Sequence, residues 1–392
     1  MAKLAVLLAL AATAAAFVHP GLLHTENDFS RIKTHVDNGD EPWLAGWNKL
    51  ISNSHASPTY QPNPQATVYR GSDGVHSENY RILYNDIHAA YQLAVRWKID
   101  GSTTYADASI KILNAWSSTM KAIGGNSDGF LAAGIYGYQL ANAGEIMRTY
   151  SGWSEADRTA LGTLLRDVFY RDSYRFLTTH NGQPRYHYWA NWDFCSLANI
   201  MATGVFTDNQ TMYDYAVNYF LHGDGMGALP NFIIANHTEA GSGKILAQGQ
   251  EAGRDQGHAT LDISLLSVIL QQAFNQGDDF FTYMTNSGLA ASEYAAKYNV
   301  NEDVPFSPYY NPKYGNTTVI SASSRGTLRP GFELMYSQYD NVMGLNASWT
   351  KKYVDAVNAN TDGVEGGGGN YGANSGGYDY LGFGTLLYRR KA

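Results

Sequence analysis

A chain of 392 residues has room for one large domain or two ordinary ones. With 44% hydrophobic and only 16% charged residues it can bury a sizeable core, which excludes global disorder. The formal net charge is -8 and no basic run or stripe is visible, which argues against nucleic acid as a partner; a polyanion would have to be held by a few local Arg, Lys and His residues. The 29 tyrosines and 8 tryptophans offer flat faces that suit sugar rings, although a Tyr-rich interior explains them equally well.

The chain opens Met-Ala-Lys, followed by an apolar run from Leu4 to Phe17 with small residues at Ala14, Ala15 and Ala16. This pattern predicts a signal peptide over residues 1–16, hence secretion, with the mature domain in 17–392. The run is too short to span a bilayer, and no later segment reaches the length of a membrane span. Sequons begin at Asn209, Asn236, Asn316 and Asn346, which suggests N-glycosylation on a eukaryotic secretory route. Cys195 is the single cysteine, so no intrachain disulfide and no CxxC-type metal site can form.

Helical spacing then dominates. It predicts helices over 41–52, 80–97, 104–123, 130–150 and 153–177, the last opening on a Ser154-x-x-Asp157 cap, and further ones over 189–203, 209–220, 254–275, 278–298 and 330–339. Strand signals are weak; short extended pieces are expected near 318–322 and 381–388. Gly-rich clusters separate the helices, and the longest, 366–377, lacks the Lys-Ser/Thr of a phosphate loop. Serial helix pairs joined by short loops predict an all-α fold, an (α/α) toroid built as an incomplete barrel of helix pairs in one large domain. Its inner helices should be apolar nearly all round, as Leu261 to Leu270 are, and its outer ones amphipathic, as 157–176 is.

Three polar segments sit at predicted helix N-terminal ends. Arg185-Tyr186-His187-Tyr188-Trp189-Ala190-Asn191-Trp192-Asp193 opens one apolar helix. Gln250-Glu251-Ala252-Gly253-Arg254-Asp255-Gln256-Gly257-His258 opens the most apolar helix, where charges are costly unless paired or used. Arg254 and His258, four apart, are expected on one face. In the third segment Pro330 suits a first helical position, which puts Arg329 at a helix start, and Tyr336 and Tyr339 follow three apart. In a toroid those ends gather at one rim, where helix N-termini favour an anion. Helix caps, packing clusters and ordinary interior tyrosines explain the same residues about as well.

At these segments the chain resembles the alginate-lyase-like polysaccharide lyases of toroid fold, and is most similar to polysaccharide lyase family 38, which holds alginate and glucuronan lyases. The matching stretches are 188–193, 251–258 and 329–339, with 375–384 also similar; together with the helices from Tyr80 onward they cover most of the mature chain. The resemblance implies β-elimination on a 1,4-linked uronic-acid polymer without a cofactor or metal, leaving a 4,5-unsaturated end. It implies an Asn, a His, an Arg and a Tyr as the working set: Asn191, His258, Arg329 (with Arg254 competing), and Tyr336 or Tyr339, with Tyr310 and Tyr314 further candidates. Trp189, Trp192, Gln256, His187, Tyr188 and Arg254 are expected to bind substrate. Where better-known alginate lyases carry Asn-Asn-His, Trp192 follows Asn191 here, so the histidine has to come from elsewhere. An ionised carboxylate makes the C5 proton hardly acidic; Asn with His or Arg would neutralise it, and Tyr or His would take the proton. Two other readings stand beside this one. An inverting glycoside hydrolase on the same fold needs two carboxylates, from Asp193, Glu251 or Asp255. A non-catalytic carbohydrate-binding protein needs neither.

Overall fold

Residues 16–391 are described by a computed structural model; residues 1–15, and with them nearly all of the expected leader, lie outside the described part. Helices form where apolar residues recur every three to four positions. In chain order the elements are α1 (Glu26–Asn38), α2 (Trp43–Ser52), β1 (Thr67–Arg70), α3 (Tyr80–Asp100), α4 (Thr103–Thr119), β2 (Ala122–Gly125), α5 (Asp128–Met147), α6 (Glu155–Leu164), α7 (Arg171–Thr179), α8 (Ala190–Phe206), α9 (Gln210–His222) and α10 (Leu229–Phe232). There follow β3 (Ile233–Thr238), β4 (Ile245–Gly249), α11 (Gln256–Asn275), α12 (Tyr283–Asn299), β5 (Tyr309–Asn311), β6 (Gly315–Thr317), α13 (Phe332–Tyr336), α14 (Ser348–Asn360) and α15 (Gly384–Leu387). No helix among the described residues is long and apolar enough to cross a membrane.

The helices α3, α5, α8, α11 and α13 each pack on the next and form the inner layer of an (α/α) toroid. Outer helices cover them: α4 on α3, α7 on α5, α9 on α8, α12 on α11 and α14 on α13. The short α15 touches α13, α1 and α2, which in turn reach α3. The inner helices are buried nearly all round, as the sequence predicts. Every residue of α8 but Trp192 is buried, and from Gln256 to Ala273 in α11 only His258 is not. Gly134 faces Cys195 and Gly137 faces Asn199, so positions rise together and α5 and α8 run parallel. The glycines let the two backbones close up: a Cβ on Gly134 would stand 2.4 Å from the Cys195 sulfur.

Several local expectations shift. The helix expected over 153–177 is α6 and α7 joined by a π-helical stretch, Leu165–Tyr170, and Ser154 does cap it, accepting from the Asp157 N–H. The helix expected over 330–339 is α13 followed by a second π-helical stretch, Ser337–Val342. The extended pieces expected near 318–322 and 381–388 are not strands. Gly382 and Phe383 adopt left-handed backbone and turn the chain into α15, which is buried on all sides and therefore shows no alternation. The strands lie elsewhere, in three two-stranded ladders: β1 with β2 (parallel), β3 with β4, and β5 with β6 (both antiparallel).

Candidate active site

The N-terminal ends of α8, α11 and α13 gather at one rim, each tied to the next, and the start of α3 is tied to the middle of α5. Arg70, at the end of β1, donates to the Tyr136 hydroxyl of α5 at 3.1 Å and lies over the ring of Tyr80, the first residue of α3. The Ala190 N–H that opens α8 donates to Gln250 Oε1 at 2.9 Å, in the 3-10 turn Gln250–Gly253 just before α11. Arg329, just before α13, donates through Nε to the Gly257 carbonyl at 2.9 Å. The Gly-rich C-terminal segment lies across the same end. Tyr84 donates to the Ala373 carbonyl (3.0 Å), Gln139 to the Tyr378 carbonyl (2.8 Å) and Tyr138 to the Asp379 carbonyl (2.8 Å).

Between α11, the 324–330 loop and that segment opens a cleft of about 540 Å³, lined by Asp255, His258, Arg329, Tyr371, Asn360, Asn370 and Asn374 among others. His258 is the one break in the buried stretch of α11 from Gln256 to Ala273, with 37% of its side chain exposed. Asp255 caps α11, its Oδ1 accepting from the His258 N–H at 2.9 Å, while its Oδ2 stands 2.7 Å from His258 Nδ1. Burial pushes the Asp255 carboxyl up, but the hydrogen bond and charge of His258, its backbone N–H and the nearby Arg254 outweigh this and hold it at about 2. An ionised carboxylate at Nδ1 fixes the proton there and leaves Nε2 as the free acceptor. Arg329 is locked on three sides, by Gly257, by the Gly376 carbonyl (3.2 Å) and by Asp379 (3.0 Å), so its orientation is set before any ligand arrives.

A second, buried knot lies behind the cleft. Glu251 is fully buried; its Oε1 accepts from the Asn191 side chain and its Oε2 from Arg254 at 2.7 Å. Arg254 lies over the Trp189 ring, 5.0 Å from its centroid, and Tyr314 stacks on the same indole at 5.1 Å. Burial and the neighbouring Glu251 carboxylate push Asp262 well above the ordinary carboxylate range.

Of the residues singled out in the sequence, His258 and Arg329 meet in the cleft. Asn191 does not line it: it is buried and fastens α8 to Glu251. Arg254 and His258 do not share a face, because α11 begins only at Gln256; Arg254 precedes the cap and turns toward Glu251 and Trp189. Gln256 is buried and bonded to the Ala252 and Ser321 carbonyls and to Asn299. Tyr188 receives a hydrogen bond from Asn181 and packs, with Trp192, against Phe176. His187 is half-buried, its pKa lowered by burial and by Lys313. Tyr339 is buried and donates to the Phe281 carbonyl, whereas Tyr336 lies between Lys351 and Arg389; neither lines the cleft. Spacing and motifs do not mark Asp379, Arg70, Asn370 or Asn374. The Ser375 to Gly384 stretch signals Asp379 only as part of a similarity; nothing local marks Arg70.

Parallel inner helices, with an imidazole and a guanidinium presented at their N-terminal rim, define an (α/α)-toroid enzyme. The alginate lyase family model matches residues 47–302, about two thirds of the chain, and the chain belongs to that family. It is therefore a polysaccharide lyase. Among solved structures it is similar to alginate lyase A1-III from Sphingomonas species A1, with 14% identity, a TM-score of 0.59, and 95% of this chain and 98% of that one covered. A variant of A1-III complexed with tetrasaccharide superposes with a TM-score of 0.61 at 13% identity, covering 95% of this chain and 98% of that one. An alginate lyase from Bacteroides ovatus gives 0.56 at 10% identity, covering 96% and 97%. At these identities the likeness is one of fold. No curated protein sequence matches.

Proposed function

We propose that the chain is a secreted lyase that cleaves a 1,4-linked polyuronate, alginate or glucuronan, by β-elimination in the cleft around His258. The observation that carries this is the pairing of His258, oriented by Asp255, with Arg329, whose guanidinium is locked beside it. Tetrasaccharide binding by A1-III supports a uronate oligomer as the ligand. In the reaction His258 Nε2 takes the C5 proton, and the electron pair forms the C4–C5 double bond as the C4–O4 bond breaks. Arg329, aided by the Asn370 and Asn374 carboxamides, offsets the charge that builds on the carboxylate. The leaving O4 takes a proton, from the imidazolium itself when both lie on the same ring face.

The hydrolase reading lacks its second acid. Asp193 is buried against Tyr219, the Gly227 N–H and His180, Glu251 is buried in its knot, and Asp255 is engaged by His258. Asn236, Asn316 and Asn346 are exposed, as glycan acceptors on a secreted chain must be, and Asn209 is half-buried as the cap of α9.

The test is to incubate the purified protein with polymannuronate, polyguluronate and glucuronan, with a chelator present, and follow ultraviolet absorbance. A rise on one polymer names the substrate and establishes metal-independent elimination. New reducing ends without absorbance would replace the lyase mechanism by hydrolysis.

A further inference from the structure

The outer wall between α7 and α9 carries a row of tyrosine rings where an outer helix ordinarily shows Lys and Glu. Tyr170 stacks on Tyr174 with centroids 5.6 Å apart, and Tyr174 meets Tyr215 of α9 at 5.0 Å. Tyr174 is 39% exposed. The π-helical stretch that ends at Tyr170 widens the turn there, a feature that recurs at functional sites. Beside the rings runs a surface groove of about 610 Å³ lined by Arg166, Asp167, Tyr170, Arg171, Tyr174 and Met212.

Cations flank this row. Arg171 and Arg175 are 58% and 61% exposed and both lean on a single buried carboxylate, Asp172, at 3.2 and 3.7 Å. Arg166 uses one N–H on Thr163. Asp167 is the one acid lining the groove, and Lys121 joins Arg171 along the adjoining one. Two arginines, Arg166 and Arg171, thus line the groove against one carboxylate, Asp167, on a chain whose net charge is -8. Arg175 lies over Phe130, in the first turn of α5, so the row reaches the same rim as the cleft.

The geometry points to an accessory binding site for an anionic polysaccharide on this outer wall, with Tyr170, Tyr174 and Tyr215 stacking sugar faces and Arg166, Arg171 and Arg175 meeting carboxylates. Aromatic rings for flat apolar sugar faces and guanidinium forks for carboxylates are what a polyuronate presents partners for. A neutral glycan would not need the arginines. This assignment rests on the polyuronate reading given under Proposed function. The site would hold a long chain on the enzyme while the cleft acts on another stretch of it, and a short oligomer would gain nothing from it.

The experiment uses the full-length protein and a double variant, Arg171→Ala with Tyr174→Ala, both exposed positions outside the cleft. Native gels cast with polymannuronate, polyguluronate, glucuronan or neutral dextran measure retardation, and turnover is read on polymer and on tetrasaccharide. The expected result is retardation by a polyuronate but not by dextran, weakened about fivefold in the double variant and by added salt. Turnover of polymer should fall by a similar factor while that of tetrasaccharide stays within about twofold. Arg166→Ala, at a third position, should weaken retardation in the same direction. Unchanged retardation in both variants overturns the inference and leaves the lyase reading standing. A wild-type dimer in sedimentation that the double variant dissolves, with retardation unchanged, would make the wall a self-association face and also overturn it. Retardation that the double variant weakens, in a protein releasing no unsaturated ends, would keep the site and remove the lyase reading.

Discussion

His258 is bound to Asp255 twice, through its backbone N–H at 2.9 Å and its ring Nδ1 at 2.7 Å. One carboxylate therefore both starts α11 and sets which ring nitrogen faces the cleft. His258→Ala should lower kcat by about 10²- to 10⁴-fold with the fold intact, because no other imidazole lines the cleft. Asp255→Asn should lower kcat by about 10²-fold or more with a small change in KM, since a carboxamide no longer fixes the tautomer. Steady-state kinetics on the substrate polymer check both, and near-wild-type turnover by either variant would move the base elsewhere.

Asp255 also makes a pH prediction. Its folded-state pKa is lowered to about 2, so its contribution to stability is fully present above the ordinary carboxylate value of about 3.9 and is lost as pH falls toward 2. Melting temperatures of wild type and Asp255→Asn should differ most above about pH 4 and converge as pH falls toward about 2. A gap that stays constant across that window would mean that the cap, not the charge, is what Asp255 supplies.

The helices and His258 are legible in the sequence for the same reason. The sequence around Leu261 to Leu270 is apolar nearly all round, so a histidine at the mouth of that helix has to be either satisfied or used. Arg329 is legible through Pro330, which fits a helix start. What escapes a local reading is anything placed by distant partners. Asp379 and Asn374 lie in a Gly-rich stretch without periodicity, and are set by hydrogen bonds from α3 and α5 such as Tyr84 to Ala373, 289 residues apart. Arg70 reaches the rim through a four-residue parallel ladder whose partner, β2, lies beyond two helices. Spacing shows that two residues share a helix face but not that they are still on one helix. Arg254 falls one residue before the cap of α11, and its apparent partnership with His258 dissolves there.

The tyrosines give the sharpest contrast between spacing and structure. Tyr339→Phe removes a buried hydroxyl from the Phe281 carbonyl and should cost about 1 kcal/mol of stability, read by urea unfolding, with kcat within about twofold of wild type. Tyr336→Phe should change neither, because its ring sits between Lys351 and Arg389 away from the cleft. A large fall in kcat for either variant would restore the role that the resemblance implies for that tyrosine and move the reaction out of the His258 cleft.

The packing of α5 on α8 predicts a cost at two glycines. A Cβ on Gly134 would lie 2.4 Å from Cys195 Sγ and 2.8 Å from its backbone carbon, and one on Gly137 would lie 2.2 Å from Asn199 Oδ1. Gly134→Ala should destabilise by about 1–3 kcal/mol, because the two backbones must part. Gly137→Ala meets a side chain that can swing away, but Asn199 then loses its bond to Ser173, so a cost at the lower end is expected. Denaturant midpoints give both values.

Behind Arg329 lies a carboxyl that links the cleft to the C-terminal segment. Glu365 is buried, with Oε2 accepting from the Gly331 N–H at 3.4 Å and Oε1 from the Gly384 N–H at 2.9 Å. Burial, and then the Glu333 carboxylate, push its pKa from the ordinary 4.5 up to about 8. Between those values the folded chain keeps a proton that the unfolded chain has released, so stability falls as pH rises, by at most about 1.4 kcal/mol per pH unit from this group. Glu365→Gln imitates the protonated side chain at every pH. It should therefore match wild type near pH 4.5 and become the more stable of the two as pH approaches 8, with the gap level above that. Melting curves across that range measure the gap directly. A variant less stable than wild type at pH 8 would mean that Glu365 is already ionised in the folded chain, held by its two backbone N–H groups and by Arg389 against the repulsion of Glu333.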